Sequence, residues 1–195
     1  MSVLYPTINC LEFVAYSGAR IVLNYYYVTG QPSAAAYQGM VDAGVKSVVC
    51  VRLPGETVAS PPYPPPPPFS AADAAREQAD LAKLGISFTN VPIERTMSQS
   101  QFDDAATTAA MAFLNNARLG PAMVHCSSGD RASSVFAALI IGFGASNREA
   151  ADYAKNALLL ANESIVKLVL GYRPAESLRA HVAEAAAGAA FPSLR

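Results

Sequence analysis

Six consecutive residues, Cys126-Ser127-Ser128-Gly129-Asp130-Arg131, place a thiol, a glycine and a guanidinium in one short segment directly after His125. Each of these types serves the same chemistry. Successive backbone amides of such a loop can turn inward as an anion-binding nest, and a glycine at position 129 permits a backbone angle that other residues resist. The positive end of a following helix attracts an anion. Arg131 adds a planar fork matched to two phosphate oxygens. Ser127, Ser128, Gly129, Asp130 and Arg131 are therefore the expected phosphate-binding residues. The same field favours the ionised form of Cys126, whereas a free thiol, with a pKa of about 8.5, is only a few per cent ionised at neutral pH. An isolated cysteine at this place would read as a small buried hydrophobe. Cys-x-x-Gly-x-Arg between an apolar strand and an apolar helix reads as an oxyanion site built around a nucleophile.

Such a loop needs a strand before it and a helix after it. Pro121 leads into a strand at 122–125, and the apolar run beyond Arg131 predicts a helix over 131–143. Further strands are expected at 21–28, where β-branched and aromatic residues dominate, at 46–51 and at 86–91. Residues 11–16 can pair with the first of these as a hairpin. Helices are expected over 33–43, capped by Ser33 and ended by Gly44; over 70–84, closed by Gly85; and over 102–118, capped by Ser98 or Ser100. Asp103 and Asp104 would fall in the first turn of the last of these. More helices follow at 146–160, 164–170 and 175–187. This alternation predicts an α/β fold with a mostly parallel central sheet flanked by helices and an oxyanion site in a strand–loop–helix unit. Ligands of such sheets gather at the carboxyl ends of the strands, where Cys126 falls.

The chain of 195 residues fits a single domain, residues 1–195. Hydrophobic residues make up 52% and charged residues 15%, much of the former alanine, which suits tightly packed helices. The longest apolar stretch, 135–145, is shorter than the roughly 20 residues needed to span a bilayer. A formal net charge of −1 offers no broad attraction for nucleic acid or for an acidic membrane surface. The start of the chain lacks a basic region followed by an apolar run, and Cys10, Cys50 and Cys126 match neither a disulfide framework nor a zinc site. With His125 and His181 as the two histidines, no metal cluster is expected, and a reducing, cytoplasmic setting is the simplest reading. Cys50, inside an apolar run, reads as core. Residues 61–68, Pro-Pro-Tyr-Pro-Pro-Pro-Pro-Pro, favour an extended polyproline II segment. They form a stiff loop insertion spanning about 57–69, and they could also serve a Pro-binding module as partner.

From about Tyr27 to Phe143 the chain resembles the cysteine-dependent protein tyrosine phosphatase superfamily, and especially its nonclassical, beta-lactamase-hydrolase-like branch. The likeness rests on Val28-Thr29-Gly30-Gln31-Pro32-Ser33, on Gly44-Val45-Lys46-Ser47-Val48-Val49-Cys50-Val51-Arg52 with Gly55-Glu56, and on the loop from His125 to Arg131. It implies attack by Cys126 on phosphorus to give a phosphocysteine that water hydrolyses, with Arg131 as phosphate clamp and no cofactor. It also implies that His125 tunes the thiolate from behind rather than acting as a base. Ser133 falls at the superfamily's usual hydroxyl position and is expected to tune the thiolate too.

The larger superfamily places five residues between cysteine and arginine; here four intervene, and Ala132 stands where that arginine would be. Four is also the spacing of rhodanese-type sulfurtransferases, which cradle a cysteine persulfide in a similar loop. The Gly-Gly and tryptophan pattern that follows in those enzymes is absent from this chain, which has no tryptophan. For the general acid, the segment corresponding to the superfamily's aspartate loop reads Val91-Pro92-Ile93-Glu94-Arg95-Thr96-Met97, which makes Glu94 the positional candidate, followed by Asp103 and Asp104. Arg52 and Arg95 could line the pocket. The expected function is hydrolysis of a phosphomonoester, phosphotyrosine or a small phosphorylated molecule. A sulfurtransferase and a catalytically weak phosphate- or sulfate-binding adaptor are the alternatives.

Overall fold

A computed structural model of the chain describes residues 7–8, 11–14, 20–23, 26–32, 36–54, 56, 71–117 and 120–187. Cys10, Ser33, the whole of the 57–69 insertion with its proline run, and the chain ends lie outside the described residues. The strands are β1 (Thr7–Ile8), β2 (Leu11–Val14), β3 (Arg20–Leu23), β4 (Tyr26–Thr29), β5 (Ser47–Cys50), β6 (Ser87–Asn90) and β7 (Ala122–His125). The helices are α1 (Tyr37–Asp42), α2 (Ala71–Lys83), α3 (Gln99–Ala117), α4 (Asp130–Gly142), α5 (Asn147–Ala157), α6 (Glu163–Gly171) and α7 (Glu176–Ala187).

The main sheet has the order β1-β4-β7-β5-β6, with β4, β7, β5 and β6 parallel and β1 antiparallel at the edge. Side chains alternate across it. Tyr27, Val48 and Met123 face α1 and α2 with Met40, Val45, Leu81 and Ile86. Val28, Val49 and Val124 face the larger core built with α3, α4 and the C-terminal helices, where Phe102, Phe113 and Phe136 pack. With helices on both faces, the central strands β5 and β7 are buried along their whole length, as parallel strands of this kind usually are.

Two expectations change on inspection. The apolar run 21–28 is divided between two sheets: β3 pairs with β2 in the expected hairpin, while β4 pairs with β7 in the main sheet. Strand propensity is the same for either partner, so the run alone could not show the division. Helix α3 begins a turn before residue 102, because Ser98 and Gln101 form a reciprocal cap in which the Gln101 amide reaches Ser98 Oγ (3.4 Å) and the Ser98 amide reaches Gln101 Oε1 (2.9 Å). Asp103 and Asp104 therefore lie beyond its first turn. The ends at Gly44 and Gly85 stand, both with positive φ.

Candidate active site

Strand β7 is the centre of the sheet, and its carboxyl end carries the loop. His125 pairs in register with Thr29 of β4 and Cys50 of β5, so those three residues share the face covered by α1 and α2. Cys126, one residue on, turns to the other face and is fully buried. Its amide donates to Thr29 O (3.3 Å), while the Gly129 amide donates to its Sγ at 3.1 Å. Gly129 is the residue before α4 and has φ +98°, a left-handed angle that lets the chain turn from loop into helix. The sulfur thus lies within reach of the positive end of a 13-residue helix.

Arg131 is 1% exposed and firmly held. Its Nη2 donates to Glu56 Oε1 (2.5 Å) and Ser127 Oγ (3.1 Å), and its Nη1 donates to Ile93 O (3.0 Å). Its Nε has no hydrogen-bond partner among the described residues, which leaves a donor for an oxyanion. Ser127 Oγ donates in turn to Glu56 Oε1 at 3.2 Å. Burial alone would push the Glu56 carboxyl up, but the hydrogen bond and charge of Arg131 hold it below the usual carboxylate range. For Arg131, burial is outweighed by Glu56 and by Cys126, and the guanidinium is held more firmly charged than usual.

The segment Thr29-Gly30-Gln31 closes against the loop from one side. The Gln31 amide donates to Ser127 O (3.2 Å), and a Cβ on Gly30 would lie 2.9 Å from that same carbonyl, so only glycine permits the approach. Gln31 Oε1 accepts from Arg52 Nη1 (3.0 Å), placing the buried Arg52 in the wall behind the loop.

The segment between α5 and α6 closes from the other side. Asp130 Oδ1 accepts the amides of Ala161 (2.7 Å) and Asn162 (2.8 Å), and its Oδ2 lies 3.9 Å from Arg95 Nη2 and 3.5 Å from Ser128 Oγ. Asp130 therefore anchors a neighbouring segment as well as standing in the loop. Ser133 Oγ donates to Gly129 O (2.9 Å) and accepts the Leu159 amide (3.0 Å), so its hydroxyl braces the start of α4 and the 158–162 segment. Neither of those bonds reaches the thiol. Glu94 is exposed on the segment after β6, one residue beyond the carbonyl that holds Arg131. Asp103 and Asp104 sit on α3, with Asp103 accepting from Gln99 Nε2 (2.8 Å).

Behind the loop lies a buried polar cluster. His125 is fully buried with Nδ1 3.4 Å from Cys126 O, and its Nε2 is 3.3 Å from Glu77 Oε1 of α2, which is itself 4% exposed. The angles of that ion pair fall short of a hydrogen bond. Gln31 Nε2 donates to the same Glu77 oxygen at 3.1 Å. Burial pushes His125 down, but the Cys50 sulfur and the Glu77 carboxylate more than offset it and raise it to about 10. Tyr37 is raised as well, by its partial burial and then by the neighbouring Glu77 carboxylate. The donor atoms of Cys50, Glu77 and His125 lie within 4.8 Å of one another, so this is where a cation could be shared among the described residues.

Glu56, Gln31 and Glu77 are the side chains whose roles the sequence did not reveal. The first two lie in the segments that carried the resemblance, which was the available signal. Glu77 had none, since a glutamate amid the polar positions of a helix ordinarily faces water.

Scanned against protein-family models and against curated protein sequences, the chain finds no match. Solved structures do share its fold. The core catalytic domain of the PP-IP phosphatase Siw14 from S. cerevisiae, solved with citrate, is 16% identical over 99% of each chain with a TM-score of 0.58. TpbA from P. aeruginosa is 16% identical over 82% of this chain and 89% of its own, with a TM-score of 0.53. PTPMT1 in complex with PI(5)P is 14% identical over 83% and 94%, with a TM-score of 0.51. No helix of the described residues is long and apolar enough to cross a membrane.

Proposed function

With the fold that of the cysteine-based protein tyrosine phosphatases of the nonclassical branch, we propose that this chain hydrolyses a phosphomonoester through a phosphocysteine intermediate. Cys126 Sγ attacks phosphorus, forming the S–P bond as the bond to the leaving oxygen breaks. Glu94 gives that oxygen its proton. Water then attacks phosphorus, losing a proton to the Glu94 carboxylate, and the S–P bond breaks to return the thiolate and release inorganic phosphate. The loop amides and Arg131 stabilise the charge on the transferring group. Thiolate and guanidinium supply nucleophile and charge stabilisation, so the reaction calls for no metal. A nucleophilic thiol of this kind fits a reducing compartment such as the cytoplasm.

The observation that carries this reading is the Gly129 amide on Cys126 Sγ at 3.1 Å, at the start of α4, beside an arginine gripped by Glu56. Charge near the loop favours a simple substrate. Among the described residues, Arg131 pairs with Glu56, Arg95 lies 3.9 Å from Asp130 and Arg52 donates to Gln31, so these three cations already have partners before a substrate arrives. Phosphotyrosine or a small monoester suits this balance better than a polyphosphorylated inositol.

The test is hydrolysis of para-nitrophenyl phosphate by wild type and Cys126→Ser, in chelator and reductant, with a thiosulfate–cyanide assay alongside. Phosphate release abolished in the variant is expected. Thiocyanate formation without phosphate release would move the assignment to a sulfurtransferase, and silence in both assays to a phosphate-binding adaptor.

A further inference from the structure

Resting on the phosphatase reading, we propose that Glu77 of α2 is a positioning residue for the reaction: it holds His125 as an oriented imidazolium beneath the Cys126 thiolate. Three observations converge. The Glu77 carboxylate is buried to 4% exposure 3.3 Å from His125 Nε2, in a place where an unpaired carboxylate would be costly. The other ring nitrogen, Nδ1, lies 3.4 Å from the carbonyl of Cys126 itself, so the ring has an acceptor at one nitrogen and a carboxylate within ion-pair range of the other. Finally, Gln31 ties Glu77 to the catalytic loop, donating to its Oε1 through Nε2 and to Ser127 O through its backbone amide.

The charges around this pair are consistent with that role. Cys50 of β5 adjoins the imidazole; Tyr37 of α1 lies close enough to Glu77 and to Asp80 of α2 for both carboxylates to raise its hydroxyl. Arg52 reaches the same network through Gln31. On the thiol side stand Arg131, Arg52 and Glu56. Glu77 is the carboxylate in contact with the imidazole. The Cys50 sulfur and the Glu77 carboxylate together hold the ring charged against its burial, and removing Glu77 takes away the carboxylate share of that support.

The experiment compares wild type, Glu77→Gln and Glu77→Asp, with folding of each checked by circular dichroism. The His125 ring is followed by nitrogen-15 NMR through a pH titration, and para-nitrophenyl phosphate hydrolysis is measured in parallel. In wild type His125 should remain doubly protonated through pH 8. In Glu77→Gln it should titrate at least two pH units lower than in wild type, with kcat reduced about tenfold or more and KM little changed. Glu77→Asp, which keeps the charge, should recover part of both. A ring already neutral at pH 7 in wild type, or one whose titration Glu77→Gln leaves in place, would overturn the proposal. So would a stoichiometric zinc ion in the wild-type protein that Glu77→Gln loses, which would make Glu77 a metal ligand instead. The NMR arm reads His125 whether or not the chain hydrolyses phosphate esters, so failure here is separable from failure of the phosphatase reading.

Discussion

Glu56 and Arg131 meet at 2.5 Å, and the same carboxylate oxygen also accepts from Ser127 Oγ, so one side chain fixes both the guanidinium proposed as phosphate clamp and a member of the loop. A guanidinium held this way loses little freedom when an oxyanion arrives. Replacing Glu56 by Ala should lower kcat/KM by about 10- to 100-fold, the range for losing a charged hydrogen bond of about 1.5–3 kcal/mol. Cys126 should still react with iodoacetamide in that variant. Steady-state kinetics with parallel alkylation checks this, and unchanged kinetics would remove Glu56 from the clamp.

The proposed role of Glu94 depends on the leaving group. A general acid contributes roughly 10²–10⁴ in rate when the departing oxygen is basic, and little when it is para-nitrophenolate. Glu94→Gln should therefore be slow on an alkyl phosphate and near wild type on para-nitrophenyl phosphate. Equal losses on both substrates would assign Glu94 to binding, and equal retention would send the search to Asp103 and Asp104.

Asp130 receives two backbone amides from the segment joining α5 and α6. Asp130→Ala leaves both without that acceptor and should destabilise the fold by about 1–3 kcal/mol. Asp130→Asn retains an oxygen in the same place and should cost less. Urea unfolding of the two variants orders them; the reverse order would mean that the charge, rather than the acceptor, matters.

His125 links stability to pH with a definite sign. Its folded value is raised to about 10, above the ordinary 6.5. Between those values the native state retains a proton that the unfolded chain releases, so its contribution is complete below about 6.5 and is lost as pH rises through about 10. The stability advantage of wild type over His125→Asn should shrink steadily from pH 6 to pH 10. Urea midpoints at three pH values suffice, and a gap that widens would mean that His125 is buried neutral.

The strand–loop–helix unit around Cys126 was legible because it is local: thiol, glycine and arginine are close in sequence, and the flanking apolar runs show the strand and helix. Strand β7 was located to the residue for the same reason. What escaped depends on distant parts of the chain. Glu56 reaches Arg131 from a loop 75 positions away, and Glu77 reaches His125 from helix α2, 48 positions earlier in the chain. The Ser133 hydroxyl, bonded to both Gly129 and Leu159, likewise joins segments that the sequence does not place side by side. The divided run at 21–28 shows the limit of propensity, which identifies a strand without its partner.

The place of β7 between β4 and β5 also bears on how the molecule comes into being. Its partners in the sheet are synthesised first, and they lack their central neighbour until residues 122–125 have been made. Closing Tyr26 onto Ala122 joins residues roughly a hundred positions apart, a slow step for any chain. On the ribosome, the nascent protein must therefore wait with an open slot in its sheet, exposed to unwanted strand pairing. Because the strand that fills the slot ends at His125 and leads directly into Cys126, that sulfur comes to rest in its loop in the same event that completes the sheet.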